Sequence, residues 1–302
     1  MNEQHGEITP SPTGGRVFVT GAGGMIGRRV VSFFAERGVR VRALRHVAAV
    51  KQPGIEIVQG DLRQFRDEWL DGISVIVHLA AKTHSGVADA ELFAVNADSV
   101  RTLTASIARA GRPVRLLFAS SIAVYGPCLN GRAHTAQTAP VPITPYGRSK
   151  LAGEQAAAGC ADVRIVRLPM VVGPGDRFSG RFMRLTRWRI FPCTLRRFSA
   201  IHVDDVAALF WRLAQDDGTD RTVLAVSDGE AYSWPEIAAH FARLRGRRML
   251  TPRIPEALLR PGIFRWLGNA DAALYLKYDW ILEPNFPEGM APRRKAFARG
   301  EQ

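Results

Sequence analysis

Apolar residues fall into short runs through the first half of this chain, separated by stretches in which they recur every three or four positions. The runs at 17–20, 39–44, 55–59, 74–80, 114–120 and 163–168 read as strands. The longer periodic stretches read as helices: 25–37, stopped at Gly38; 89–110, closed by Gly111; and 144–159, started by Pro145. Strand and helix alternate, which predicts an α/β fold: a doubly wound parallel sheet covered on both faces. After Gly173-Pro174-Gly175 the pattern becomes irregular. Helices are expected at 205–215 and 234–245, with a strand at 222–226 between them and a further helix at 256–267 in a proline-rich stretch. This C-terminal third predicts a small lobe closing over the carboxyl edge of the sheet, where doubly wound folds bind ligands. The expected organisation is a disordered leader at 1–15, a sheet domain at 16–175 to which some later segments return, a lobe at 176–290 and a disordered tail at 291–302.

The first strand runs into Thr20-Gly21-Ala22-Gly23-Gly24-Met25-Ile26-Gly27 and then into the first helix. Strand, glycine-rich turn and helix in that order make a cradle for a dinucleotide pyrophosphate, which sits on the positive end of the helix. The loop after the second strand decides which dinucleotide fits. An acid there accepts the adenosine ribose hydroxyls and repels a 2′-phosphate; the chain has Leu44-Arg45-His46, with Arg28 as a possible neighbour. Arg45 favours NADP over NAD, the alternative being one more surface arginine. Asp61 and Leu62, after the third strand, are placed to flank an adenine, although Asp61 suits a turn equally.

Tyr146 and Lys150 lie four apart on the 144–159 helix and share a face. A neighbouring ammonium favours the phenolate, so the pair predicts a tyrosine whose pKa is drawn toward the working range. Ser121, at the end of the 114–120 strand, can donate to a substrate oxygen, whereas Ser120 reads as a turn or cap residue. Together these residues point to hydride exchange with a nicotinamide dinucleotide.

The chain has 302 residues, 46% hydrophobic and 23% charged, ordinary for a globular protein. Cys128, Cys160 and Cys193 are far apart and show no metal or disulfide spacing. No metal site is expected, and the setting reads as reducing and cytoplasmic. The first fifteen residues lack the basic start and apolar core of a signal peptide, and no apolar run is long enough to span a bilayer. The net charge of +13 is the unusual bulk feature. It could attract anionic partners or lie dispersed over a solvated surface; arginine is densest at 181–197, interleaved there with aromatic and aliphatic residues. No nucleic-acid partner is expected.

The order of motifs resembles the extended branch of the short-chain dehydrogenase/reductase superfamily, the NAD-dependent epimerase/dehydratase family. The matching segments are TGAGGMIG (20–27), GDL (60–62), HLAA (78–81), Asn96, ASSIAVYG (119–126), PYGRSK (145–150), RLPMVVGPGD (167–176) and IHVDDVA (201–207). They cover almost the whole chain. The resemblance implies a Rossmann-type domain with a small substrate lobe and a catalytic triad of Ser121, Tyr146 and Lys150. It also implies that Gly21, Gly24, Met25, Ile26, Gly27, Leu79, Ala80, Ala81, Asn96, Tyr146, Lys150 and Pro169 face the dinucleotide. A homodimer through a four-helix bundle that includes the 144–159 helix is a further implication.

Departures from the family pattern bear on substrate. Pro169-Met170 stands where the nucleotide-sugar epimerases usually have an asparagine. Phe198 occupies the position of an arginine for the sugar nucleotide's diphosphate, and Ile122-Ala123 replaces the acid and base of a 4,6-dehydratase. These changes remove polar partners for a sugar nucleotide. The expected activity is reduction of a ketone or oxidation of a secondary alcohol on a small-molecule substrate. A nucleotide-sugar 4-epimerase with retained NAD is the alternative, and a non-catalytic dinucleotide-binding sensor or assembly protein the second. Asp204 is expected to cap the next helix; His84 reads as a loop histidine, and Asp279-Trp280 is assigned no chemistry.

Overall fold

Strands buried on both faces need helices on both sides, and the chain supplies them in alternation. The computed structural model describes residues 15–47, 52–83, 87–129, 131–216, 218, 221–255 and 272–297. Six strands form in order: β1 (Arg16–Thr20), β2 (Val41–Arg45), β3 (Glu56–Gln59), β4 (Ile73–His78), β5 (Arg115–Ser121) and β6 (Val163–Leu168). Past Pro169 the chain leaves the sheet as β7 (Met170–Val172) and β8 (Arg197–His202), returns as β9 (Thr222–Ala225), and leaves again as β10 (Ala231–Ser233). The central sheet has the order β3-β2-β1-β4-β5-β6-β9, with every pairing parallel. Strand order reverses between β1 and β4, which opens a crevice at their carboxyl ends. A second sheet, β10-β8-β7, carries the lobe.

On one face, α1 (Met25–Ala35) buries Val30, Val31 and Phe34 against the sheet. The opposite face is covered by α2 (Asp89–Phe93), α3 (Ser99–Arg109) and α4 (Pro145–Ala157), over a core that includes Phe18, Phe118, Val100 and Leu103. The helix expected at 89–110 is interrupted by a π turn at 94–98 that carries Asn96. A π turn inside a helix re-aims one side chain, and such turns recur at functional sites.

Later in the chain lie α5 (Arg177–Leu185), α6 (Val203–Gln215), α7 (Trp234–Arg243) and α8 (Ala272–Lys277). The expected helix 205–215 starts two residues earlier and packs beside α1, where Phe33 meets Trp211 edge-on at 6.3 Å between ring centroids. Its N-cap is His202, whose Nδ1 accepts from Asp204 N at 3.3 Å. Asp204, expected as the cap, instead lies in the first turn and pairs with Arg29 at 2.5 Å and with Arg294. Carboxylates are favourable in a first turn because of the helix dipole.

The lobe is held by aromatic packing. Phe182, Phe191, Phe198, Trp234, Phe241 and Trp280 share one buried cluster. Phe297 joins it, and Ala296 N donates to Asp228 Oδ2 at 2.6 Å, so within the expected tail this end of the described residues is tied to the lobe. Apolar burial is the physical reason: Phe297 meets Tyr232, His240 and Phe241. Residues 1–14 of the leader expected at 1–15, the helix at 256–267, His84 and residues 298–302 lie outside the described residues.

Trp280 is buried with its Nε1 donating to Leu274 O at 3.3 Å and its backbone N to Arg197 O at 2.8 Å. It therefore ties the C-terminal segment to β8. Trp280→Ala is expected to cost about 3–5 kcal/mol, read as a lower urea midpoint at unchanged secondary-structure content by circular dichroism.

Candidate active site

The glycine turn after β1 presses against the turn after β4. Gly21 adopts φ +68°, and a Cβ there would lie 2.6 Å from Ala80 N, so only glycine fits. Helix α1 then starts at Met25 from Gly24 with no side-chain cap and no acid in its first turn. Uncapped N–H groups and the dipole's positive end make an anion cradle, and the donor set fits a dinucleotide pyrophosphate. Arg28 Nη1 bonds across the turn to Gly23 O at 2.7 Å, which fixes the loop's shape.

A cleft of about 390 Å³ opens from this turn, at the point where the strand order reverses. Gly21, Gly24, Asp61, Leu62, Leu79, Ala80 and Ala81, all assigned to the dinucleotide on the sequence, line it; Leu44, His46, Arg63 and Lys82 do so too. Met25, Ile26 and Gly27 form the first turn of α1. Arg45, Asn96, Pro169 and the Ser121, Tyr146 and Lys150 set lie outside this lining. Arg45 is exposed at the end of β2, its Nε bonded to Gln59 Oε1 at 2.5 Å, while Gln59 Nε2 donates to His46 O at 2.9 Å. Hydrogen bonds from Arg63 are the largest cause holding the Asp61 carboxyl down to about 2. Asp61 thus serves both as the cap of the turn 62–64 and as an anionic wall of the cleft.

Asn96 does something the sequence did not reveal. Its Oδ1 accepts from Lys82 N at 2.8 Å; its Nδ2 donates to Lys82 O at 3.0 Å and to Ser149 Oγ at 2.9 Å. Engaged in this way, it pins the backbone that follows Leu79-Ala80-Ala81 to helix α4. Thr20, also unpredicted, assists from the other side: its Oγ1 accepts from Ala80 N at 3.3 Å and lies 3.1 Å from His78 Nδ1.

Ser121 ends β5, and its Oγ accepts from Ala123 N at 3.2 Å. Tyr146 and Lys150 project from α4, whose start is set by Pro145 and by Thr144 as N-cap. Tyr146 is hydrogen-bonded to Ser121. Burial pushes the phenol's pKa up, and the Ser121 bond opposes this more weakly. The expected lowering by Lys150 is therefore not found; loss of hydration outweighs the other influences on this phenol. Lys150 is buried, donates to Ala119 O at 2.7 Å, and lies 4.4 Å from the Phe118 ring centroid. Burial brings its ammonium down to about 8, against an opposing pull from Glu154. His78, stacked on Phe118, is held down to about 3 by burial and by the Lys150 charge, so it stays neutral.

Beneath these groups lies a buried ion pair. Arg167 on β6 donates from Nε and Nη2 to the two Glu154 oxygens at 2.9 and 2.7 Å. Ser120 Oγ donates to the same carboxylate. Ser120 is thus part of a buried network, where a turn serine was expected. A glutamate one turn after Lys150 on a helix that packs on the sheet was the available signal.

Residues 17–226 match the family model for the NAD dependent epimerase/dehydratase family. The chain is 30% identical over 272 residues to the ceramide reductase of Caulobacter vibrioides, covering 85% of this chain and 78% of that one. It is 31% identical over 278 residues to a putative dihydroflavonol 4-reductase of Synechocystis, covering 83% and 78%. Among solved structures, MoeE5 in complex with UDP-glucuronic acid and NAD superposes with a TM-score of 0.70 at 29% identity, covering 80% of this chain and 85% of that one. The fold and site define an extended short-chain dehydrogenase/reductase. The chain belongs to the NAD-dependent epimerase/dehydratase family, whose members are NAD-dependent oxidoreductases, epimerases and dehydratases, and it is an enzyme of that kind.

Lys150 carries a pH signature. Its pKa is about 8 in the folded chain, against about 10.4 for an unperturbed lysine. Between those values the unfolded chain binds the extra proton, so this group's contribution to stability rises with pH. Wild type is expected to gain stability relative to Lys150→Met from about pH 8 to about pH 10, and to show no such relative slope below pH 7. Urea denaturation across that range checks it.

Proposed function

We propose that this chain is an NADPH-dependent reductase of an apolar ketone. The carrying observation is the half-buried phenol of Tyr146, whose pKa desolvation raises, together with apolar residues at the turns after β5 and β6. The residues that follow Ser121 and Leu168 are Ile122-Ala123 and Pro169-Met170, none of which offers a polar side chain to a sugar hydroxyl. The relatives named for reduction of ceramide and of dihydroflavonols support the same direction.

When bound, the dinucleotide supplies the hydride. Its adenosine end is assigned to Asp61, Leu62, Leu79, Ala80 and Ala81, and its pyrophosphate to Gly21, Gly24, Met25, Ile26 and Gly27. Tyr146 gives its hydroxyl proton to the carbonyl oxygen, so ketone, hydride and proton together make the alcohol. Raised by burial, the phenol keeps that proton at neutral pH. Ser121 donates a hydrogen bond to the same oxygen. Lys150 lies one turn further along the same helix face, and its buried ammonium is assigned to the dinucleotide. Asn96 and Thr20 are positioning residues that hold the cleft wall.

The preference for NADPH rests on Arg45. No acid occupies residues 44–47, and a guanidinium beside the cleft is matched to a 2′-phosphate. A nucleotide-sugar epimerase is the second reading, favoured by the sugar-nucleotide complex of MoeE5; NAD retained through purification and turnover without added cofactor would decide for it.

Arg45→Asp is expected to weaken NADPH binding about 10- to 100-fold while leaving NADH binding little changed, measured by energy transfer from tryptophan. Tyr146→Phe is expected to lower kcat by about 10²- to 10⁴-fold in a ketone-reduction assay, with NADPH affinity retained. Loss of both together would point to misfolding.

A further inference from the structure

The positive charge of this chain is concentrated on two segments that pair with each other. Residues 177–198 hold seven arginines and residues 237–255 hold five, and neither stretch contains an aspartate or glutamate. The whole chain has 41 basic residues against 28 acidic; without these two segments the balance is 29 against 28, a net of +1. Nearly all of the +13 therefore lies here.

The fold brings the two segments to one side of the lobe. Helix α5 packs on α7 through Phe178, Phe182 and Phe241. Beyond α5, Arg189 at φ +57° turns the chain into a short parallel ribbon, in which Ile190 pairs with Leu250 and Cys193 with Arg253. Phe191 N donates to Leu250 O, and Leu250 N to Arg189 O, both at 2.8 Å. Phe191 and Cys193 point into the core, so Ile190 between Arg189 and Phe191 points out. Trp188 is 65% exposed, Ile190 51% and Leu250 68%. Arg184, Arg187, Arg189, Arg245, Arg247 and Arg248 are exposed on the same two segments.

We propose that this face docks on an anionic lipid bilayer, with Trp188, Ile190 and Leu250 entering the headgroup region and the arginines meeting lipid phosphates. The observations combine two features: a single sign of charge, and large apolar side chains at the tips of the same segments. A bilayer surface satisfies both, since each nearby arginine gains from the surface potential and each apolar tip from burial below it. A nucleic-acid backbone offers phosphates but gives aliphatic tips such as Ile190 and Leu250 nothing to bury against. The proposal goes beyond the reductase reading and does not rest on it.

Cosedimentation of the full chain with vesicles tests it, comparing phosphatidylcholine alone with an equimolar mixture of phosphatidylcholine and phosphatidylglycerol. Binding to the mixed vesicles is expected at low salt, with little to the neutral ones and a steady loss as salt rises. Emission from exposed Trp188 is expected to become shielded from a water-soluble quencher, a change lost in Trp188→Phe. A triple variant, R245E/R247E/R248E, is expected to lower the partition coefficient about 100-fold or more, with its melting temperature and NADPH binding retained. Equal binding to neutral and anionic vesicles overturns the proposal, as does no binding to either at low salt. Preferential capture of duplex DNA or RNA over the anionic vesicles overturns it too. Should the triple variant unfold, the salt dependence and quenching of the wild type still decide.

Discussion

The ion pair between Glu154 and Arg167 joins helix α4 to strand β6 below the surface of the sheet. Both side chains are buried, and the two parallel hydrogen bonds fix their mutual angle as well as their distance. Ser120 adds β5 to the same junction. Three elements are thereby held in register at one point, and each carries a residue of the proposed site: Ser121 follows Ser120, Lys150 lies one turn before Glu154, and Pro169 follows two residues after Arg167. Removing one partner of such a pair leaves an uncompensated buried charge, typically at a cost of about 3–5 kcal/mol.

The site has two kinds of wall. At the dinucleotide end, backbone geometry decides: glycine in the left-handed region, an uncapped helix start, and a turn after β4 pinned by Asn96 and Thr20. At the reacting end, desolvation decides. The same burial that raises the Tyr146 phenol lowers the Lys150 ammonium and keeps His78 neutral. A neutral histidine beside Lys150 adds no competing positive charge. The protonation states therefore follow from dryness more than from the charges themselves.

Much of this was legible in the sequence. Apolar runs of four to seven residues marked the strands to within one or two positions, because burial on both faces leaves few alternatives. The glycine turn and the Tyr146/Lys150 spacing were legible because local backbone rules dictate them. Other features depend on contacts across long separations. The π turn at 94–98 has no local signature, and with it went the hydrogen bonds that Asn96 makes to Lys82 and Ser149. Arg167 carries no local mark of its role, because its partner lies thirteen residues earlier on another element. Phe297 ends a polar stretch that looks disordered by composition, yet its ring completes an aromatic cluster assembled from several elements. The direction of the Tyr146 shift was misread for a related reason: spacing shows which charges are near, whereas only packing shows how much water is gone.

Pro169 is where the chain first steps out of the central sheet, and β9 is where it comes back. Between them the chain builds part of the lobe and then α6, which lies beside α1 on the same face of the sheet. A fragment ending near residue 175 would bare Phe33 and the sheet face beneath α6, and would leave β6 as an unprotected edge. The two halves are therefore entangled in covalent order as well as in space. The lobe is therefore no detachable cassette: cutting it out would sever the thread that also completes the sheet.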